Sequence, residues 1–276
     1  MTVADSPADG TPADEAHANG SSGPESLADR TPAASVVLPT AALAVGVFAW
    51  WAVVTLFGVP AYLLPSPVAV AARLLDRPDL YVRNGWVTLQ TVLSGGALGA
   101  LAGLLAAVGV VQSSLLRRAL YPYLVTARVL PKVALAPVLL VFVGTGTGTA
   151  QTFVALVAFF PVFVDAVAGL DETPDRYLDL LESVDAGPVR TFLFVRLPAA
   201  LPAVFAGLKQ SAALAVVGAV VAEWILTDEG LGFLVLVGAE NVQTAAVLAA
   251  VAVLFIEGYA VYGLVALAQK RVDWRS

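Results

Sequence analysis

The chain has no cysteine and a single histidine, His17. Without thiols it can form no disulfide and run no thiol chemistry. With one imidazole it can build neither a histidine-based triad nor a multi-histidine metal site, so no catalytic residue and no metal site are expected. Charge is also scarce. Asp, Glu, Lys and Arg make up 13% of the 276 residues, where a soluble domain carries about 25%. What fills the space is apolar: 59% of the residues are hydrophobic and the mean hydropathy is +0.83. An all-α, polytopic membrane protein is the expected fold class, with membrane lipid as its surroundings and no nucleic-acid partner.

The small net charge of −6 is unevenly spread. Residues 1–35 hold six acids (Asp5, Asp9, Asp14, Glu15, Glu25, Asp29) and one base, Arg30, while the remaining residues nearly balance. This stretch is rich in Ala, Asp, Gly, Pro and Ser and has too few large apolar residues to offset its chain entropy. It reads as a disordered acidic N-terminal tail. It lacks the basic start and short apolar core of a cleaved signal peptide. Residues 36–276 read as a transmembrane domain.

A helix needs about 20 apolar residues to cross the hydrocarbon core. The uncharged stretch between Arg30 and Arg73 holds one such span, and that between Arg83 and Arg117 a second. A third is expected over "LYPYLVTARVLPKVALAPVLLVFVG", although it contains Arg128, Lys132 and three prolines. "TAQTFVALVAFFPVFVDAVAGL", "LPAVFAGLKQSAALAVVGAVVAEWI" and "TAAVLAAVAVLFIEGYAVYGLVALA" complete a set of about six. Gly95, Gly99 and Gly103 recur on one face of the second span, a spacing that lets helices approach closely in lipid, here for packing within the chain. Basic residues choose the side. With both termini cytoplasmic, ten Lys and Arg fall on the inner side (from Arg30 to Arg275) and three, Arg73, Arg77 and Arg83, on the outer. A multi-pass protein of the cell membrane with N and C termini inside is therefore expected.

One inner stretch is too organised for a plain connector. Between about 171 and 198 the chain begins as a charged helix with Asp175, Asp179 and Glu182 on one face. Leu178, Leu181 and Asp185 lie on a neighbouring face, with Leu180 and Val184 extending the apolar side. An acidic face keeps this helix off anionic lipid. Gly187 is expected to end it in a left-handed cap, and Pro188 to stop its continuation. "VRTFLFVRL" is expected to form a second short helix, and Leu197-Pro198 to begin the next span, where a proline is tolerated.

These residues resemble the membrane subunit of binding-protein-dependent ABC importers, whose loop signature is E-A-A-x-x-x-G followed after nine residues by I-x-L-P. Gly187 matches the glycine and, after nine residues that end in Val195-Arg196, Leu197-Pro198 matches the L-P, so I-x-L-P starts two residues nearer the glycine than in the signature. The E-A-A positions fall on Leu181, Glu182 and Ser183, so the acid is displaced by one and neither alanine is kept. The likeness covers about residues 48–272. "YLLPSPVAVAARLL", "RVLPKVALAPVLLVFVGTGTGTAQTFVALVAFFPVFVDAVAGL" and "AEWILTDEGLGFLVL" are similar to permeases for nitrate, sulfonates, taurine and thiamine-precursor pyrimidines.

The resemblance implies a permease that is not itself an enzyme and binds no cofactor. ATP would be used by a separate cytoplasmic ATPase, which would grip the coupling loop at Asp179, Glu182, Ser183, Asp185, Gly187, Leu197 and Pro198. An external solute-binding protein would deliver the solute, and a second permease copy, as a homodimer, would complete the path.

"GTGTGT" from Gly144 to Thr149 has no following Lys and no preceding strand, so it reads as a turn between spans rather than a phosphate loop. Charged residues in spans are costly and often functional. Arg128 and Lys132, four apart, are candidates for the substrate pathway and could present positive charge to an anion. Asp165 and Glu223 are read as bundle or interface residues, and Glu257 is a further charged residue in a span. An ion-gradient-driven secondary transporter is the alternative class. It calls for mid-membrane ionisable residues and recognisable repeats; acids are scarce there and no repeat is evident.

Overall fold

The computed structural model describes residues 34–127, 129–173, 176–177, 181, 183 and 185–273. The acidic tail thus lies outside the described residues up to 33, and the first helix starts at Ala34, two residues before the boundary expected from composition. The chain divides into two compact units, 1–49 and 50–276. In the first unit the described part is the apolar run of α1 (Ala34–Leu56) up to residue 49. Apart from α1, all that follows concerns the second unit.

Every described element is helical. After α1 come α2 (Pro67–Asp76), α3 (Pro78–Gln112), α4 (Ser114–Ala127), a 3-10 turn (Lys132–Ala134), α5 (Leu135–Val143) and α6 (Thr147–Asp171). Then follow α7 (Pro188–Thr191), a π-helical stretch (Phe192–Arg196), α8 (Leu197–Ile225), α9 (Leu231–Glu240) and α10 (Thr244–Asp273). Among the described residues, five helical runs are long and apolar enough to cross a membrane: Val37–Leu56, Pro78–Gln112, Thr147–Asp171, Pro188–Ile225 and Thr244–Val272. A sixth is reached only if the third expected span is counted as one. It is not a straight helix: Ser114–Ala127 and Lys132–Val143 are inclined by 93°. The cause is local. α4 ends at Ala127, and Leu130-Pro131 keeps the helix from resuming before Lys132: a residue before proline is driven out of the helical region, and Pro131 has no N–H to donate.

The long helix α6 is the central column. Two thirds of its apolar window is buried, 67%, against 28% in α3 and 22% in α10. It is reached on one side through the glycines of α3. A Cβ on Gly95 would lie 2.7 Å from the Gln151 carbonyl oxygen, and one on Gly103 2.6 Å from that of Phe159. One on Gly99 would collide with the Ala155 backbone. The small-residue stripe is thus spent on packing within the chain, as its spacing suggested. On the other side Gly207 of α8 sits where a Cβ would be 3.0 Å from the Pro161 oxygen of α6. Phe163, Val167 and Leu170 fill the end of this stack with Val110 and Val204.

Of the Gly144–Thr149 run, Gly144–Gly146 form the expected turn between helices, while Thr147–Thr149 already begin α6. Gly144 and Gly146 have φ of 93° and 119°, values L-residues rarely adopt. The Gly146 N–H donates to the Leu226 oxygen at 2.7 Å, tying this turn to the end of α8.

Candidate functional site

The expected coupling segment starts where α6 ends. Asp171, its last residue, accepts two hydrogen bonds from Arg117 at the start of α4, Nη1 to Oδ1 at 2.9 Å and Nη2 to Oδ2 at 2.6 Å. This fork-to-fork pair fixes direction as well as distance. The Arg117 guanidinium also lies 5.9 Å above the Tyr121 ring. The sequence reading did not single out either member, because pairing across 54 residues has no local signature.

Asp179 and Glu182 lie outside the described residues. Ser183 and Asp185 are exposed. The turn that redirects the chain is not at Gly187. Asp185 holds φ 55°, and the Ala186 N–H donates to the Leu181 oxygen at 2.9 Å, the six-to-one bond of a left-handed helix cap. Gly187 has φ −62° and ψ 159°, an extended conformation open to any residue. The reason is Pro188: it forces the preceding residue to be extended, so the left-handed step falls two residues earlier. Asp tolerates it because its short polar side chain is among the few that visit this region. Gly187 instead caps α7, its carbonyl accepting from the Thr191 N–H at 3.1 Å.

A second correction follows. The expected restart at Leu197-Pro198 does not occur. From Pro188 to Ile225 the chain is one helical run of 38 residues, in which Phe192–Arg196 widens to π-helix. Pro198 cannot donate to the turn before it, and widening re-spaces the hydrogen bonds around it. Leu197 is half-buried and Pro198 exposed. Val189, Leu193 and Phe194 are exposed large apolar residues along the first turns of this run.

Of the two candidate pathway residues, Arg128 lies outside the described residues. Lys132 opens the 3-10 turn and reaches a cavity of about 220 Å³ shared with Phe160, Pro161, Val164 and Asp165 of α6 and Gln210 and Leu214 of α8. Its Nζ lies 5.2 Å above the Phe160 ring, within cation–π range. Asp165, read from the sequence as a bundle residue, faces the same space. α8 crosses close to Asp165 at Gly207, where a Cβ would be 3.1 Å from the Asp165 Cβ.

At the other end of α8 the structure assembles a site of which the sequence singles out only Glu223 and the stretch around Gly230, and not their partners Asn84 and Thr88. Helix α9 starts with three backbone N–H groups that a helix leaves without partners. The Gly230 N–H donates to Asn84 Oδ1 at 2.8 Å, the Leu231 N–H to Thr88 Oγ1 at 2.8 Å, and the Gly232 N–H to Glu223 Oε2 at 2.7 Å. Glu223 is 1% exposed. Gly230, at φ 108°, is where a Cβ would strike its carboxyl group. A buried carboxylate at a helix N-terminus also meets the positive end of the helix dipole. Glu257 lies apart from these bonds and lines a larger, mainly apolar cavity of about 500 Å³ with Tyr81, Gly85 and Trp86. Both acids are thus built into the bundle.

Residues 99–274 match the family described as the inner membrane component of binding-protein-dependent transport systems. The chain is 37% identical over 205 residues to a probable ABC transporter permease protein of Haemophilus influenzae, spanning 74% of this chain and 84% of that one. It is 33% identical over 173 residues to the formylaminopyrimidine transport permease protein ThiX of Halalkalibacterium halodurans, spanning 62% and 69%. Further relatives, 27–30% identical, are named as permeases for riboflavin, taurine, aliphatic sulfonates and nitrate. In fold it is similar to a chain of the inward-facing MetNI methionine ABC transporter, with TM-score 0.61, 20% identity, and coverage of 71% of this chain and 98% of that one.

Proposed function

The chain belongs to the inner-membrane components of binding-protein-dependent transport systems and is a permease subunit of an ABC importer, and from that premise we propose that residues 171–198 are the lever through which a separate cytoplasmic ATPase drives it. The observation that carries this is the unbroken helical run Pro188–Ile225. A push on its first turn is delivered along the whole of α8 without an intervening hinge, as rigid-body switching requires. The left-handed turn at Asp185 aims the run, and the Arg117–Asp171 pair fixes the end of α6 beside it. Exposed Ser183, Asp185, Val189 and Phe194 offer the ATPase a mixed polar and apolar surface, with Asp179 and Glu182 added from the same segment.

In this reading ATP is bound and hydrolysed on the partner, and the chain itself holds no cofactor. A second copy completes the path, and a solute-binding protein docks on the outer face. The charge distribution puts both termini and the lever in the cytoplasm. The path passes the cavity at Lys132, with Arg128 close by in sequence. The solute is small, of the kinds named for the relatives: a thiamine-precursor pyrimidine, taurine or another sulfonate, or nitrate.

Asp185→Val tests the lever. A β-branched residue resists a left-handed φ by roughly 1–2 kcal/mol, enough to re-aim the run and too little to unfold the bundle. Normal accumulation with weakened capture of the ATPase, or with hydrolysis no longer tied to uptake in vesicles, is expected; Asp185→Asn should keep both. Full uptake in Asp185→Val at wild-type levels overturns the lever reading.

A further inference from the structure

Glu257 stands near the middle of the 30 residues of α10, in a run long and apolar enough to cross a membrane. At 1.5 Å per residue it is roughly 20 Å or more from either end of the helix. A carboxyl at that depth is costly unless something meets it. Gly85 of α3 receives it closely: a Cβ there would be 2.7 Å from Oε1. Oε2 is shut off from solvent and has no hydrogen-bond partner among the described residues. The charged group that acts on Glu257 is Glu223, of the same sign. Arg73, next to the cavity wall at Leu74, turns instead to Asp76 at 3.6 Å and Gln243 at 3.4 Å.

The cavity that Glu257 lines holds about 500 Å³, within the range of small-molecule sites. Tyr81 and Trp86 give it two aromatic side chains, and most of the remaining lining is aliphatic, with no Lys or Arg. This chemistry narrows the occupant. An anion meets only repulsion from the carboxylate. A neutral apolar molecule fills the space and leaves the carboxyl unmet. A divalent cation takes about six oxygen ligands, and one carboxyl with one phenol falls short. An ammonium supplies both charge and N–H donors to the carboxyl, aromatic walls attract it, and an apolar body on it fills the rest. Val82 and Trp86 are exposed at the rim, on a helix that is itself long enough to cross a membrane. A phospholipid keeps its head group outside a hydrocarbon core about 30 Å thick, so the depth of Glu257 favours a single-chain amine. We infer that the cavity at Glu257, Tyr81 and Trp86 binds a free amphiphilic amine, a protonated nitrogen on an apolar chain, that enters from the bilayer.

The test uses the full chain in phosphatidylcholine nanodiscs. Bromododecylamine is the probe, since bromine quenches a nearby tryptophan, and bromododecanol is its uncharged twin. Both are compared at equal mole fraction in the bilayer. The signal read is the part of the quenching that Trp86→Phe removes, which separates this cavity from the chain's other tryptophans. Saturable quenching with a midpoint about tenfold lower for the amine than for the alcohol supports the inference, the size of one charge-assisted hydrogen bond. Equal midpoints, or no saturable part, overturn it.

Glu257→Gln keeps the shape and removes the charge. It should erase the advantage of the amine and leave the midpoint of the alcohol unchanged; an advantage that persists in this variant overturns the inference. The wild-type comparison stands whether or not the variant folds. Bilayers enriched in phosphatidylethanolamine tell a lipid head group from the free amine. An unchanged amine midpoint there supports the free amine. A midpoint raised about tenfold gives the site to the lipid and overturns the inference.

Discussion

The two ends of α8 are built on opposite plans. At its N-terminal end the chain arrives through exposed backbone, a single six-to-one bond at Asp185 and a glycine with nothing within 4 Å of its would-be side chain. At its C-terminal end the chain turns through Leu226–Gly230, where three side chains from two helices hold three successive N–H groups of α9. Among the described residues, the backbone bonds at the first end lie in partly exposed chain, while those at the second form a buried network. A buried cap lost without replacement costs about 1–3 kcal/mol, an exposed contact a fraction of that. The hydrogen bonding of the described residues is thus more exposed at one end and more buried at the other, the asymmetry that the proposed lever would use.

The contrast can be broken at four places, in descending order of effect. Gly230→Val joins a forbidden φ to a collision with the buried Glu223 carboxyl. It should prevent folding, read as loss of membrane-inserted protein. Glu223→Ala leaves the Gly232 N–H unpaired and opens a void, together worth about 3 kcal/mol or more. Thermal unfolding in detergent should show a large loss, and Glu223→Gln, which keeps an acceptor, a smaller one. If the alanine variant matches wild type, the anchored end is not anchored by this residue.

The loop end should respond more weakly. Arg117→Gln breaks a pair whose members are 46% and 33% exposed at the side chain. A stability loss under about 1 kcal/mol is expected, seen as a small shift in midpoint. A loss as large as that of Glu223→Ala would erase the distinction between the ends. Gly187→Val should have the least effect of all. Its φ of −62° suits any residue and its surroundings are empty, so stability, ATPase capture and uptake should stay at wild-type values. A strong defect there would mean that the partner, not the chain's own geometry, requires a glycine.

The placement of that glycine shows how sequence and structure divided the work. Gly-Pro was legible as a break, since proline and glycine act through their own backbone chemistry. Which residue takes the left-handed step was not, because Pro188 displaces it onto Asp185, an effect of neighbours on each other. The third span shows the same limit. Its length and apolarity mark it as buried in membrane, and its prolines were legible, but the angle of 93° between Ser114–Ala127 and Lys132–Val143 was not.

By itself the sequence determined the class, the run of apolar helices, the close approach at Gly95, Gly99 and Gly103, and the presence of an organised loop before α8. These follow from transfer free energy and from local backbone preference, which act on residues near one another in the chain. Only the tertiary structure decided that Asp165 and Gln210 share a cavity with Lys132, that Arg117 clasps Asp171, and that Asn84, Thr88 and Glu223 converge on α9. Those partners lie on different helices, from 9 to 146 residues apart. Polar side chains carry no periodic mark of their partners, since one hydrogen bond in a membrane bundle is selected by where two packed helices happen to cross.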